Sequence, residues 1–164
     1  MEVSRPIPAE RLIREAIEIY QAQENQAGVA EAYRTYGAFF RSDVVTKWQT
    51  YYQRTGFFDT AAAYESRYKK SVEYFVLADK IYAALDDLTA RSNVHLNIGI
   101  TYRIAGDNAA ACKAYSESLA LHQAARQRDP RLIVRLPVKY KTYEEALEPY
   151  LKGANCDQFA DTSR

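Results

Sequence analysis

This chain of 164 residues is poor in histidine and cysteine, two of each, and lacks long apolar runs and an excess of either charge. Its formal net charge is +1 and it contains no basic block, so the electrostatic footprint of a nucleic-acid binder is missing. No apolar run approaches the roughly 18 residues that a membrane-spanning helix needs, so no transmembrane segment is expected. The two histidines, His95 and His122, and the two cysteines, Cys112 and Cys156, fit no zinc spacing, and no metal or cofactor is expected. A P-loop, a dinucleotide fingerprint, an HExxH helix and a nucleophile elbow are all lacking. The adjacent carboxylates Asp86–Asp87 and Glu144–Glu145 point to different helix faces and read as turns or caps. No catalytic residue is assigned, and the expected class is non-enzymatic.

The leading MEVSRPIPAE is polar and proline-punctuated, without an export core, so the sequence as it stands points to the cytoplasm. A periplasmic or envelope-anchored setting is the alternative if an export signal has been removed. The cysteines follow the same division. In an oxidising compartment Cys112 and Cys156 pair and pin the tail; in the cytosol they stay reduced, with Cys112 as a small packed residue.

What is present is helical periodicity and tyrosine, 14 of them. Within Ala90–Leu121, Val94, Ile98 and Tyr102 recur every four residues, then Ala111, Tyr115 and Leu119 do the same. Between them Gly106 can take a left-handed conformation, and Asp107 or Asn108 can cap the second helix. Gly99 is costly in mid-helix, by about 1 kcal/mol against Ala, so close approach of the second helix is expected there. The segment from Ala16 to Phe40 aligns without gaps to that from Ala78 to Tyr102. It pairs Ala16 with Ala78, Ile19 with Ile81, Tyr20 with Tyr82, Gly37 with Gly99 and Phe40 with Tyr102. Such an echo is the mark of a repeat architecture.

Residues 1–8 read as an irregular lead-in. A helix is expected from Ala9, with an apolar stripe of Leu12, Ile13, Ala16, Ile17, Ile19 and Tyr20 and with Glu10 on the polar side. A turn follows at Glu24–Gly28, then a helix from about Val29 to Phe40. Residues 41–70 interrupt the repeat with seven aromatics, Trp48, Tyr51, Tyr52, Phe57, Phe58, Tyr64 and Tyr68. One short helix over Val44–Gln53 and a long one over Ala61–Leu85 are expected there. The aromatics either pack the insertion onto the repeats or form an exposed ridge. Trp48, Tyr51, Tyr52, Phe57 and Phe58 are the candidates for such a surface. Pro130 and Pro137 exclude a long helix over Arg126–Tyr140, and LIVRLPV is expected to run extended. A capping helix over 141–153, kinked or shortened by Pro149, and a loose tail over 154–164 complete the chain.

The pattern Gly99, Tyr102, Gly106, Asp107, Ala111, Tyr115 and Ser118 resembles a tetratricopeptide repeat (TPR) of a short bacterial-type member. His95 and Gln123 depart from the pattern, standing where a bulky apolar residue and proline are usual. The resemblance implies an all-α fold, a short TPR-like superhelix of helical hairpins in one domain over 1–164. Its parts are first helices over 9–40, the insertion over 41–70, the best-matching repeat over 71–122 and the cap. It also implies a module or adaptor that binds a peptide or protein partner in a groove lined by Asn93, Leu96, Asn97, Ile100, Arg103 and Ile104. In the earlier copy the matching positions are Glu31, Arg34, Thr35, Ala38, Arg41 and Ser42. Asn97 is where the family uses an amide on a ligand backbone, and Arg34 and Arg103 suit a carboxylate. The alternative is a homo-oligomeric structural or envelope subunit, a homodimer for instance, assembled through the aromatic insertion.

Overall fold

Polar side chains at sharp turns delimit the helices of this protein. A computed structural model describes residues 6–133 and 136–158. Its helices are α1 (Pro6–Ala22), α2 (Gln26–Phe40), α3 (Asp43–Lys47), α4 (Gln49–Thr55), α5 (Arg67–Ala84), α6 (Leu88–Ile104), α7 (Asn108–Arg128) and α8 (Tyr143–Gly153). Among the described residues there is no strand, and no helix is long and apolar enough to cross a membrane. Asn25 caps α2 by accepting from the Gly28 amide at 2.9 Å, and Asp87 caps α6 by accepting from Ala90 at 2.9 Å. Asp107 does the same for α7 and Thr142 for α8. Each such cap contributes about 1 kcal/mol. The residue before the first two caps is left-handed in both copies of the echo, Glu24 at φ 54° and Asp86 at φ 56°.

The helices gather into two compact units, Met1–Leu85 and Asp86–Arg164, divided in the turn between α5 and α6. In the first, α2 packs on α1 and on α5. Its core joins Tyr36, Phe39 and Phe40 of α2 to Val45, Tyr52, Phe57, Ala62 and Tyr64 of the insertion. At Gly37 a Cβ would stand 3.0 Å from the Ser71 carbonyl and 3.1 Å from the Phe75 ring, so the missing side chain lets α5 approach. The Ser71 hydroxyl donates to the Gly37 carbonyl at 2.6 Å.

In the second unit α6 packs on α7, and α8 closes onto α7. Gly99 faces the Tyr115 ring so closely that a Cβ would lie 2.3 Å from its Cε1. The buried pair Ser92 and Ser118 exchange hydroxyl-to-carbonyl hydrogen bonds at 2.8 and 2.7 Å. Leu147 and Ala154 join Ala111, Cys112 and Tyr115 in a buried cluster. Cys112 and Cys156 are joined in a disulfide, Cα to Cα 5.4 Å.

Several boundaries differ from the sequence reading. α1 begins at Pro6, because a proline in the first turn forfeits an amide that has no helical partner anyway. α2 starts before Gly28, which lies inside it. The expected helix over 44–53 is two, α3 and α4, broken at Trp48. α5 starts at Arg67, after a 3₁₀ turn over Tyr64–Ser66. The Asp59 carboxylate, ahead of it, accepts from the Ala61 amide and the Tyr74 hydroxyl. α7 runs on to Arg128, two residues short of Pro130. In the stretch expected to be extended, Leu132 and Ile133 have no regular structure, and Val134 and Arg135 lie outside the described residues. Pro149 sits inside the 11 residues of α8. Of the expected loose tail, Ala154 is buried and Cys156–Gln158 form a 3₁₀ turn, while 159–164 lie outside the described residues.

Candidate functional site

The groove positions implied by the TPR resemblance divide between the units. Arg34, in the first, is half-buried and its guanidinium grips Glu31 with Nε and Nη2, the former at 2.8 Å. The Tyr82 hydroxyl donates to the same carboxylate at 3.1 Å. The hydrogen bond from Arg34 holds the Glu31 carboxyl below its ordinary range. In the second unit, Asn97 donates its amide to the Asn93 carbonyl one turn back at 2.8 Å and to the Asn93 side chain. Leu96 and Ile100 are half-buried against the cluster under α8. Arg103 is exposed, beside Gly153 of α8. Two of these six side chains, Leu96 and Ile100, therefore spend their surface on packing, and three, Arg34, Asn93 and Asn97, their polar groups on near neighbours.

The aromatic insertion is chiefly core. Tyr52 is buried and stacked on buried Phe57, centroids 4.3 Å apart, and Phe57 meets Phe40 at 4.8 Å. Trp48 and Tyr51 are half-buried and edge-on to each other at 5.8 Å. Of the five candidates for an exposed surface, only Phe58 is exposed, at 47%. Tyr52 and Phe57 are thus corrected from surface to core. α2 ends in Phe39 and Phe40, and aromatic partners are what cover them.

A cleft absent from the sequence reading lies within the first unit, between α1 and α5 over α2. Its volume is about 420 Å³. Tyr33 and Tyr36 come from α2 and Tyr74 from α5, with the Tyr74 ring 5.8 Å from Tyr33 and 4.6 Å from Tyr36. Ile17 and Leu77 line the walls, and Arg14, Glu18, Gln21 and Asp59 supply polar groups. Gln21 donates to the Tyr33 hydroxyl at 3.2 Å, and Tyr74 donates to Asp59 Oδ2 at 2.9 Å. Lys70 Nζ stands 3.6 Å from that carboxylate and Arg14 donates to the Phe58 carbonyl at 2.7 Å. Burial pushes the Tyr36 and Tyr74 hydroxyls well above the usual phenol range, so both are neutral donors. The cleft thus offers aromatic faces, an aliphatic wall and both charges on rigid helices. Among the described residues, no three His, Cys, Asp or Glu side chains gather as a metal site. His122, in the other unit, is stacked on Tyr143 at 4.2 Å, and burial lowers its pKa.

Behind Tyr36 lies Glu10, 1% exposed, and not on the polar side of α1 as expected. Its Oε1 accepts from the Tyr36 hydroxyl and the Phe58 amide, each at 2.8 Å. Pro6, Glu10, Ile13 and Ile17 share one helical face, and the acid among apolar neighbours is the signal that was available. Burial raises the Glu10 pKa above its ordinary value, outweighing those hydrogen bonds. With the folded pKa raised, the associated stability is full below the unfolded carboxyl pKa and is lost as pH rises through the folded one. Glu10→Gln keeps an acceptor for Tyr36 and Phe58 and removes the charge. Its stability in urea at pH 7 is expected to equal or exceed that of the parent, with a flatter decline from pH 4 to 7. A steeper decline would contradict a carboxyl raised by burial.

No family model, curated protein or solved structure matches this chain.

Proposed function

We propose that the chain is a TPR-like, non-catalytic interaction module and that the tyrosine-floored cleft takes a short segment of a partner protein. The observation that carries this reading is the composition of the cleft. Tyr33 and Tyr74 offer aromatic faces beside Leu77, and Arg14, Gln21 and Asp59, each already bonded within the unit, add polar groups to the walls. Tyrosine and arginine anchors of this kind dominate binding energy at protein interfaces. The echoed construction supports the likeness to TPR. The same left-handed turn and cap recur before α2 and α6, and an aromatic ring lies over Gly37 and over Gly99. The disulfide supports an oxidising setting, the periplasm or cell envelope, over the cytoplasm.

Selection of random displayed peptides on the immobilised intact chain tests the proposal. It is expected to enrich sequences whose affinity falls at least tenfold, about 1.4 kcal/mol, with Tyr33→Ala and with Leu77→Glu, helical circular dichroism being unchanged. Binders indifferent to both substitutions, or no enrichment, would count against the cleft.

A further inference from the structure

α1 carries apolar side chains on two sides, and only one side meets its own unit. Ile13 and Ile17 pack on the core, whereas Leu12 is 59% and Ile19 46% exposed. These two stand two turns apart on one face, with half-buried Ala16 between them. Exposed Phe58 borders the same helix across a shallow groove shared with Arg11, Arg14, Glu15 and Glu18. Single exposed leucines need no account, but two aligned apolar side chains flanked by a charged row, with exposed Phe58 beyond that row, mark an interface.

We propose that this face of α1 pairs with the same face of a second copy of the chain, antiparallel, in a two-fold dimer. The charges select that occupant. Arg11, Glu15 and Glu18 run along one flank of the stripe. A two-fold axis crossing α1 between Leu12 and Glu15 brings the two flanks together in reversed order. Arg11 of each copy then falls between Glu15 and Glu18 of the other. Leu12 meets its counterpart, and Ile19 lies toward Pro8. A parallel two-fold pair would carry these flanks to opposite sides of the seam, where Arg11 meets Ala9, Ala16 and Tyr20 of the other copy and no carboxylate. With 17 residues, α1 is about 25 Å long, and such a helix pair with Phe58 sits at the small end of specific interfaces, below roughly 1,200 Å². Association is therefore weak, with a Kd on the order of 10–100 μM. Arg11, Leu12, Glu15 and Ile19 do not line the cleft, so substitutions there fail or succeed independently of the peptide-binding reading.

Sedimentation equilibrium of the intact chain from the micromolar to the near-millimolar range tests the dimer. The average mass is expected to rise from monomer toward dimer and to fall back in high salt. Arg11→Glu and Glu15→Arg should each weaken association at least tenfold, and mixing the two variants should restore it. Leu12→Glu with Ile19→Glu should leave a helical monomer, since both side chains already face water. A parent chain monomeric throughout the range, or a dimer indifferent to the charge exchange, would overturn the proposal.

Discussion

Replacing both bonded cysteines, Cys112→Ser with Cys156→Ser, is expected to lower the stability of the unit Asp86–Arg164 by about 4 kcal/mol. The bond spans 44 residues of sequence, and opening it returns that much chain-closure entropy to the unfolded state. Against a typical total of about 5–15 kcal/mol the loss is large. It falls first on α8, because the helix is only 11 residues long and Pro149 removes one of its amide donors. Its apolar hold is Leu147 with Ala154, packed on Ala111, Cys112 and Tyr115. Hydrogen exchange resolves the order of events. Under reductant, the amides of Ala146–Lys152 should lose protection while those of α6 and α7 keep theirs. Equal protection of α8 with and without the bond would mean that packing alone holds the helix.

The second large effect is at Gly99. Gly99→Val is expected to cost about 3 kcal/mol in urea denaturation, at the upper end for overpacking. Even the first carbon of the new side chain would stand 2.3 Å from the buried Tyr115 ring, too near for any small adjustment. The echoed position is more forgiving, since a Cβ at Gly37 meets its neighbours at 3.0 and 3.1 Å. Gly37→Ala should therefore cost less than Gly99→Ala. Tyr115→Ala alone leaves a cavity worth about 3–5 kcal/mol, but combined with Gly99→Val part of that space is refilled. The double variant should thus be markedly more stable than the two losses summed. Strict additivity would mean that the ring and the glycine do not touch.

These two glycines also show what could be read in advance. A mid-helix glycine three residues before the closing aromatic of an apolar stripe asks for a close neighbour, and both copies have one. Local chemistry was equally legible at Asp107, a short acceptor after Gly106 and before a helical stripe. The same holds where Pro130 stops α7. What depended on tertiary partners was not legible. Glu10 looks solvated by residue type, yet its position among Pro6, Ile13 and Ile17 puts it inside, where the Tyr36 hydroxyl and Phe58 amide receive it. Leu12 and Ile19 belong by hydrophobicity to the core and by position to the outside of α1. Asp59 and Thr60 look like a helix start, but Asp59 is drawn to Tyr74 and Lys70, fifteen and eleven positions away in the chain. The cleft was missed for the same reason. Its residues come from three helices and one loop, and nothing in the spacing of Tyr33, Tyr36, Asp59 and Tyr74 announces that they meet. Of the groove positions carried over from the TPR resemblance, Arg41 and Ser42 fall beyond the end of α2, in the turn before α3. Leu96 and Ile100 face the cluster that α8 helps to bury, and this capping depends on a helix distant in sequence.

The most direct test of the central claim is a hydrogen-exchange footprint of the intact chain with a peptide enriched by display. The cleft reading predicts added protection in Arg14–Gln21 of α1, around Tyr33–Tyr36 of α2 and along Tyr74–Leu77 of α5. Protection confined to Asn93–Arg103 of α6, with those three segments unchanged, would contradict it and return the binding site to the groove that the TPR resemblance implied.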